Sequence, residues 1–227
     1  METHSPATVS VPPKCVRRFE WEDEGETISV LIPEVIDPAY GMYVWPCAPV
    51  LAQYVFNNRE WIQDKHVLEL GAGTSLPGIM ATKCGSKVTL SDDCRQPRSI
   101  ENSRRSCIAN HLEDINVIGL TWGRVSPDMA TLPVVDVVLA SDCFYDSKDF
   151  EDVLVTFRYF IDKNPECQCW VTYQERSSDR SLKALLEKWS LSCTHIHLSS
   201  FGAESPTLAG STLPGNHKIQ MMIINNG

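Results

Sequence analysis

Three places in the sequence carry residue types that could do chemistry, and each follows a short apolar run. The first is Glu69-Leu-Gly71-Ala72-Gly73-Thr-Ser75-Leu76-Pro-Gly78. Glycines at 71 and 73 let the backbone turn sharply and approach a ligand where a side chain would intervene. A dinucleotide fingerprint needs a third glycine at position 76, which is Leu, and the Lys-Ser/Thr pair of a phosphate-binding loop is missing. These absences favour a nucleoside ligand without phosphates over a nicotinamide dinucleotide. The second place is Ser91-Asp92-Asp93, about twenty residues on. A carboxylate at a strand end there can accept hydrogen bonds from both hydroxyls of a ribose. Asp92 is equally suited to capping a turn, and its position after the glycine turn and Glu69 favours the ligand.

The third place is Ser141-Asp142-Cys143-Phe144-Tyr145-Asp146, which sets a carboxylate and a phenol beside the same crevice. The pair could position an amine or guanidinium nucleophile and balance its charge; spacing alone favours a helix-capping turn before Asp149. Glu175, in Tyr173-Gln-Glu-Arg176, could add an acidic contact for a substrate cation, or belong to a solvated turn. Trp45 and Trp122 could stack on a flat base, or simply fill the core. The histidines show no metal spacing. The nine cysteines are scattered without a CxxC, so no metal site is expected and the thiols read as reduced, in a cytosolic or nuclear compartment.

The elements that must position these residues alternate. Val67–Leu70, Val88–Ser91, Ile115–Ile118, Val134–Ala140 and Cys169–Tyr173 read as strands. Between them, helices are expected over Leu76–Lys83 and Pro97–Asn110, along the Phe150, Val153, Leu154, Phe157, Ile161 stripe, and along Leu182, Leu185, Leu186, Trp189 after a Ser178-Asp179 cap. That alternation means parallel βαβ units and an open α/β sheet covered by helices on both faces. A helix is also expected from Pro46 to Ile62. Near the end, Thr194–Leu198 and Lys218–Ile224 have no helix between them, only the Gly, Ser and Pro-rich 199–216 loop, so they should close the sheet as an antiparallel pair. Residues 1–14 read as a disordered tail. Arg18–Trp21 and Thr27–Ile32 around the Glu22–Gly25 turn read as a hairpin outside the main sheet, within an extension spanning 15–40.

The length of 227 residues fits one such domain, and no apolar run is long enough to span a membrane. A net charge of −9 disfavours a nucleic-acid surface and suits a basic partner.

Together, Tyr43-Val-Trp45-Pro46, Glu69–Gly73, Val88–Asp92, Leu120-Thr-Trp122-Gly123 and Ser141–Tyr145 resemble the seven-β-strand S-adenosylmethionine methyltransferases, and within them the methyltransferase-like family that modifies proteins. The resemblance runs from about Gly41 to Ile224 and marks 41–227 as the methyltransferase domain. It implies a Rossmann-like seven-stranded sheet, mostly parallel with the last strand antiparallel, and S-adenosylmethionine as cofactor. It makes Gly71, Ala72 and Gly73 the turn beneath the methionine portion and Asp92 the ribose ligand. Trp122 would lie against the adenine, Trp45 and Ser141 would border the cofactor, and Glu69 would orient the loop. Asp142 and Tyr145 match the family's Asp-x-x-Tyr/Phe motif on the substrate side, with Glu175 beside them. The acceptor implied is arginine on a histone, histone H3, in an enzyme of nucleus and cytoplasm acting on chromatin and transcription. Lysine is the alternative acceptor, and a monomer without nucleic-acid or membrane partners is expected. A different class, a protein-binding module that kept the fold without turnover, would also suit the acidic surface, the tail and the long loop.

Overall fold

The computed structural model describes residues 14–23, 25–35, 42–176, 182–212 and 218–227. Of the tail expected over 1–14, residues 1–13 lie outside them, as do the Gly41 boundary and the Ser178-Asp179 cap, while Lys14 belongs to a strand rather than to the tail. Among the described residues no helix is long and apolar enough to cross a membrane.

Strands β1 (Lys14–Asp23) and β2 (Glu26–Val35) pair antiparallel as a two-stranded sheet apart from the main one. The expected hairpin is therefore present, longer at both ends than its apolar runs, and its first strand begins at Lys14. Helix α1 (Cys47–Asn57) and the single turn α2 (Arg59–Ile62) follow. In place of the single helix expected over 46–62, the chain breaks at Asn58, whose side-chain amide donates to the Tyr54 carbonyl at 2.8 Å. The break leaves Trp61 exposed, stacked on Trp170 with ring centroids 5.4 Å apart.

The core alternates as anticipated: β3 (His66–Leu70), α3 (Leu76–Lys83), β4 (Lys87–Asp92), α4 (Pro97–Ala109), β5 (Asn116–Gly119), the turn α5 (Pro127–Ala130), β6 (Val137–Ser141), α6 (Phe150–Lys163), β7 (Gln168–Gln174), α7 (Lys183–Lys188) and β8 (Leu191–Ile196). A 3-10 turn (Leu198–Phe201), the short pair β9 (Thr207–Leu208) and β10 (Ser211–Thr212), and β11 (Ile219–Asn226) complete it. The seven-stranded order is β5-β4-β3-β6-β7-β11-β8. β11 runs antiparallel to both β7 and β8, and the remaining pairs are parallel. The sheet does end in the expected antiparallel pair, with β11 inserted one place inside the edge.

Three expectations shift. Val134, Val135 and Asp136 stand outside β6: Val134 is exposed, and Asp136, besides its backbone bonds to His66 and Gln168, accepts the His66 amide on Oδ2 at 2.9 Å, capping the start of β3. Leu198 opens the 3-10 turn rather than ending β8. The stretch expected to be a plain loop over 199–216 contains β9 and β10 and buries Phe201, Ala203 and Leu208; residues 213–217 lie outside the description.

Strand alternation sorts the sheet into two faces. Val67, Leu90, Val137, Leu139, Trp170 and Met221 pack with α1, α3, α4 and the inner side of the hairpin. Leu68, Leu70, Val138, Ala140, Cys169 and Met222 pack with α6 and α7. The hairpin is tied down by Asn110 at the end of α4, which behaves as a strand partner for Leu31: it accepts that residue's amide on Oδ1 at 3.0 Å and donates Nδ2 to its carbonyl at 2.6 Å. Asn110→Ala leaves both groups without this partner, and urea unfolding should show a loss of about 1–3 kcal/mol.

Candidate active site

The carboxyl ends of β3, β4 and β6 lie side by side, with Glu69 beside Leu90 and Leu70 beside Ala140. The chain leaves β3 through Gly71 at φ +59°, a left-handed conformation suited to glycine. It is then stitched to β4: Ala72 donates its amide to the Ser91 carbonyl at 2.9 Å, and Gly73 donates to Asp92 Oδ2 at 2.8 Å. Asp92 Oδ1 accepts the Asp93 amide at 2.8 Å. The two readings of Asp92 are thus compatible, because each oxygen caps one amide and keeps acceptor capacity for a hydroxyl. Burial raises the Asp92 pKa, partly offset by those amides.

Glu69 is buried on the opposite side of the turn, where its Oε2 accepts the Gly78 amide of α3 at 3.0 Å. Burial holds its pKa well above the usual carboxylate range. Its carboxylate orients helix and turn.

Trp122 closes the turn from above. A β-carbon at Gly71 would lie 3.0 Å from the indole and 3.3 Å from the Cys143 thiol, which itself donates to the Leu70 carbonyl at 3.3 Å. Trp122 in turn meets Tyr145 edge to face, centroids 6.5 Å apart. A continuous line of contacts therefore joins the glycine turn, Trp122 and the phenol of the third motif. Tyr145 is partly exposed, and burial followed by the Asp149 charge raises its pKa, keeping it a phenol.

Trp45 packs on Tyr43, centroids 4.8 Å apart, in the segment leading into α1. That segment is fixed by Glu34, whose Oε1 accepts the Val44 amide at 2.8 Å and Arg17 Nη1 at 3.3 Å. Sequence reasoning passes over Glu34. A signal is nonetheless there: it falls on the inward parity of β2 after Ile28, Val30 and Ile32, and a carboxylate at such a position needs donors.

On the third strand end, Ser141 is half-buried and pairs with Thr172 of β7. Asp142 stands at φ +56°, buried, and donates its amide to the Thr172 carbonyl at 2.7 Å. Its carboxylate is held by Arg176, Nη1 to Oδ1 at 2.9 Å and Nη2 to Oδ2 at 2.6 Å. Glu175 faces β11 instead, where Gln220 Nε2 donates to its Oε2 at 3.3 Å. The structure brings Asp142 and Tyr145 to the rim of the glycine turn but gives Asp142 and Glu175 different partners. Arg176 is a second residue that the sequence does not mark as a functional candidate, since nothing in it links that position to Asp142. Among the described residues no group of three or more His, Cys, Asp or Glu could hold a metal ion.

The residues present fit an adenosyl cofactor. Gly71 and Gly73 take the turn through left-handed conformations at φ +59° and +51°, Asp92 offers acceptors at the next strand end, and the turn carries no phosphate-binding lysine. A family model described as lysine methyltransferase matches residues 26–188. The chain is 55% identical to the histone-arginine methyltransferase METTL23 of Xenopus laevis over 207 residues, 91% of this chain and 88% of that protein. It is 52% identical to the Homo sapiens protein of the same name over 184 residues, 81% of this chain and 97% of that one. Its fold is similar to that of a TehB-like SAM-dependent methyltransferase from Corynebacterium glutamicum, with TM-score 0.54 and 11% identity over 82% of this chain and 90% of that one.

The raised carboxylates predict a pH effect. A group whose pKa is higher folded than unfolded contributes fully below its unfolded pKa, and that contribution is lost as pH rises through the folded value. Glu69 and Asp92 both have this sign. Urea unfolding from about pH 4 to about pH 8 should show Glu69→Gln gaining on the wild type as pH rises.

Proposed function

The chain belongs to the lysine methyltransferase family of that model, and from that premise we propose that it transfers a methyl group from S-adenosylmethionine to arginine side chains of a basic protein, histone H3. The observation that supports this reading is the unbroken contact from Gly71 through Trp122 to Tyr145, which joins the glycine turn to an aromatic rim. Two features support the acceptor: relatives named histone-arginine methyltransferase cover most of the chain, and the net charge is −9.

When bound, S-adenosylmethionine supplies a methyl activated by its sulfonium. Gly71, Ala72 and Gly73 would hold its methionine portion, Asp92 its ribose, and Trp122 its adenine, with Trp45 and Ser141 bordering it. The protein's remaining work is alignment, which can supply most of the acceleration in a displacement of this kind. An arginine stays protonated, with a pKa above ~12. Asp142 holds the guanidinium and accepts the proton that the attacking nitrogen gives up as its bond to carbon forms. Tyr145 walls the entry, and Glu175 adds negative charge nearby. The enzyme acts as a monomer in nucleus and cytoplasm, on chromatin and so on transcription, without direct contact to nucleic acid or membrane.

Lysine is the second reading, favoured by the family description and by the Asp-x-x-Tyr motif at 142–145. Radiolabelled methyl transfer to mixed histones, with mass spectrometry of the product, decides between them: label on arginine is expected, and label confined to lysine overturns the acceptor. Binding of a partner with no label on any protein would instead favour a module without turnover. Asp92→Asn should weaken S-adenosylmethionine binding about 10- to 100-fold by calorimetry, the loss of a charged acceptor. Because the Asp92 pKa is raised, wild-type affinity should fall on acidification at a higher pH than an ordinary aspartate would give.

A further inference from the structure

Arg176 lies beyond the last residue of β7, and its guanidinium grips Asp142 with two parallel hydrogen bonds of 2.9 and 2.6 Å. The Asp142 side chain is 8% exposed and that of Arg176 29%. The Gln174 amide adds a third donor, on Oδ1, at 3.3 Å. The residue after Asp142 is Cys143, whose thiol would touch a β-carbon at Gly71. A guanidinium is already docked on Asp142, the residue next to Cys143, in the fork-on-carboxylate geometry that a substrate arginine would adopt there.

We propose that Asp142 is the socket for the acceptor guanidinium, that Arg176 fills it as an internal stand-in when no substrate is bound, and that a substrate arginine enters by exchanging with Arg176. This inference rests on the arginine methyltransferase reading above. The exchange replaces one bidentate ion pair with another of the same geometry, so the buried carboxylate is never left without a partner, and Arg176 returns to solvent, which its exposure already allows. An ammonium cannot make the same exchange, since a single point charge does not reproduce the two parallel bonds. The socket then selects guanidinium over ammonium by shape, and Arg176 acts as a competitor that raises the concentration of substrate required. The distinguishing consequence is that removing Arg176 should improve the site.

The test is Arg176→Gln in the full chain, with folding checked by circular dichroism and S-adenosylmethionine binding by calorimetry, both expected unchanged. Two readouts follow. Ethylguanidinium should bind the variant by calorimetry and stay undetected on the wild type at the same concentration, whereas butylammonium should bind neither. With a histone H3 tail peptide carrying one arginine, KM should fall about tenfold, the equivalent of one unit in log affinity, while kcat holds. A folded, cofactor-binding variant that takes up no ethylguanidinium, or whose KM is unchanged or higher, overturns the proposal and leaves Arg176 as a clasp on the end of β7. If Arg176→Gln does not fold, Arg176→Lys keeps a single charged contact and should give the same changes at smaller size; no change in either readout overturns the proposal equally. Ethylguanidinium binding needs no turnover. A filled socket without arginine methylation would therefore count against the enzyme reading alone, and methylation without ethylguanidinium binding against the socket alone.

Discussion

A carboxylate buried without a cation sits at the centre of this fold, and its neighbours are arranged around it. Among the described residues the Glu69 carboxyl accepts one hydrogen bond, from the Gly78 amide at 3.0 Å, and it exists there because α3 approaches the sheet more closely than a side chain at 78 would permit. A β-carbon at that position would collide with the Glu69 carboxylate and with Leu90. The contact sets the height of α3 above β3 and β4. It thereby fixes the turn from Gly71 to Ser75, because Ser75 in a left-handed conformation is the residue from which α3 starts. Once the turn has that shape, the Gly73 amide meets Asp92 and Gly71 leaves room for Trp122. A buried acid raises the free energy of its charged form; here that cost is accepted at a position from which three strand ends are set.

The hairpin and the segment after β8 form a second support. Both lie on the face that carries α1: Gln53 Nε2 donates to the Phe201 carbonyl at 3.0 Å, Tyr54 meets Phe201 edge to face at 5.1 Å, and the Glu20 amide reaches the Ala209 carbonyl at 3.3 Å. The hairpin thus clamps both ends of the site. Through Asn110 it is joined to α4, whose Ser103 hydroxyl donates to the Gly73 carbonyl at 3.1 Å. Through Glu34 it holds the Tyr43–Trp45 segment. An element that looks like an appendage in the sheet topology is coupled to the glycine turn and to the aromatic rim.

What is legible in the sequence divides along the range of the interactions. Glycine turns, strand-end carboxylates and alternating apolar runs are local, so the residues alone place Gly71, Gly73, Asp92 and Asp142 at strand ends, and the βαβ order with them. Val134 and Val135 mislead because apolar β-branched residues read as strand wherever they occur, while backbone bonding to the neighbouring strands starts at Asp136, whose amide donates to the His66 carbonyl at 2.8 Å and whose carbonyl accepts the Gln168 amide at 3.0 Å. The turns hidden in 199–216 escape for the complementary reason: their buried residues, Phe201, Ala203 and Leu208, follow no period. Arg176 and Asp142 are separated by 34 positions, and no local pattern marks that pairing.

The acceptor question comes down to what the rim does to a proton. A lysine must be neutral before it attacks, which calls for a dry, apolar entry and no carboxylate close enough to hold the ammonium charged. The entry here is built otherwise: Tyr145 is 39% exposed, Asp142 is ionically paired, and Asp146 pairs with Lys148 at 2.8 Å. The Asp142 carboxylate, which already holds a guanidinium, suits a cation that stays a cation until the methyl arrives. The guanidinium meets that condition through its own high pKa, and the planar pairing already made at Asp142 is the form of recognition an ammonium cannot copy. At Asp142, proton chemistry and hydrogen-bond geometry therefore favour the same acceptor.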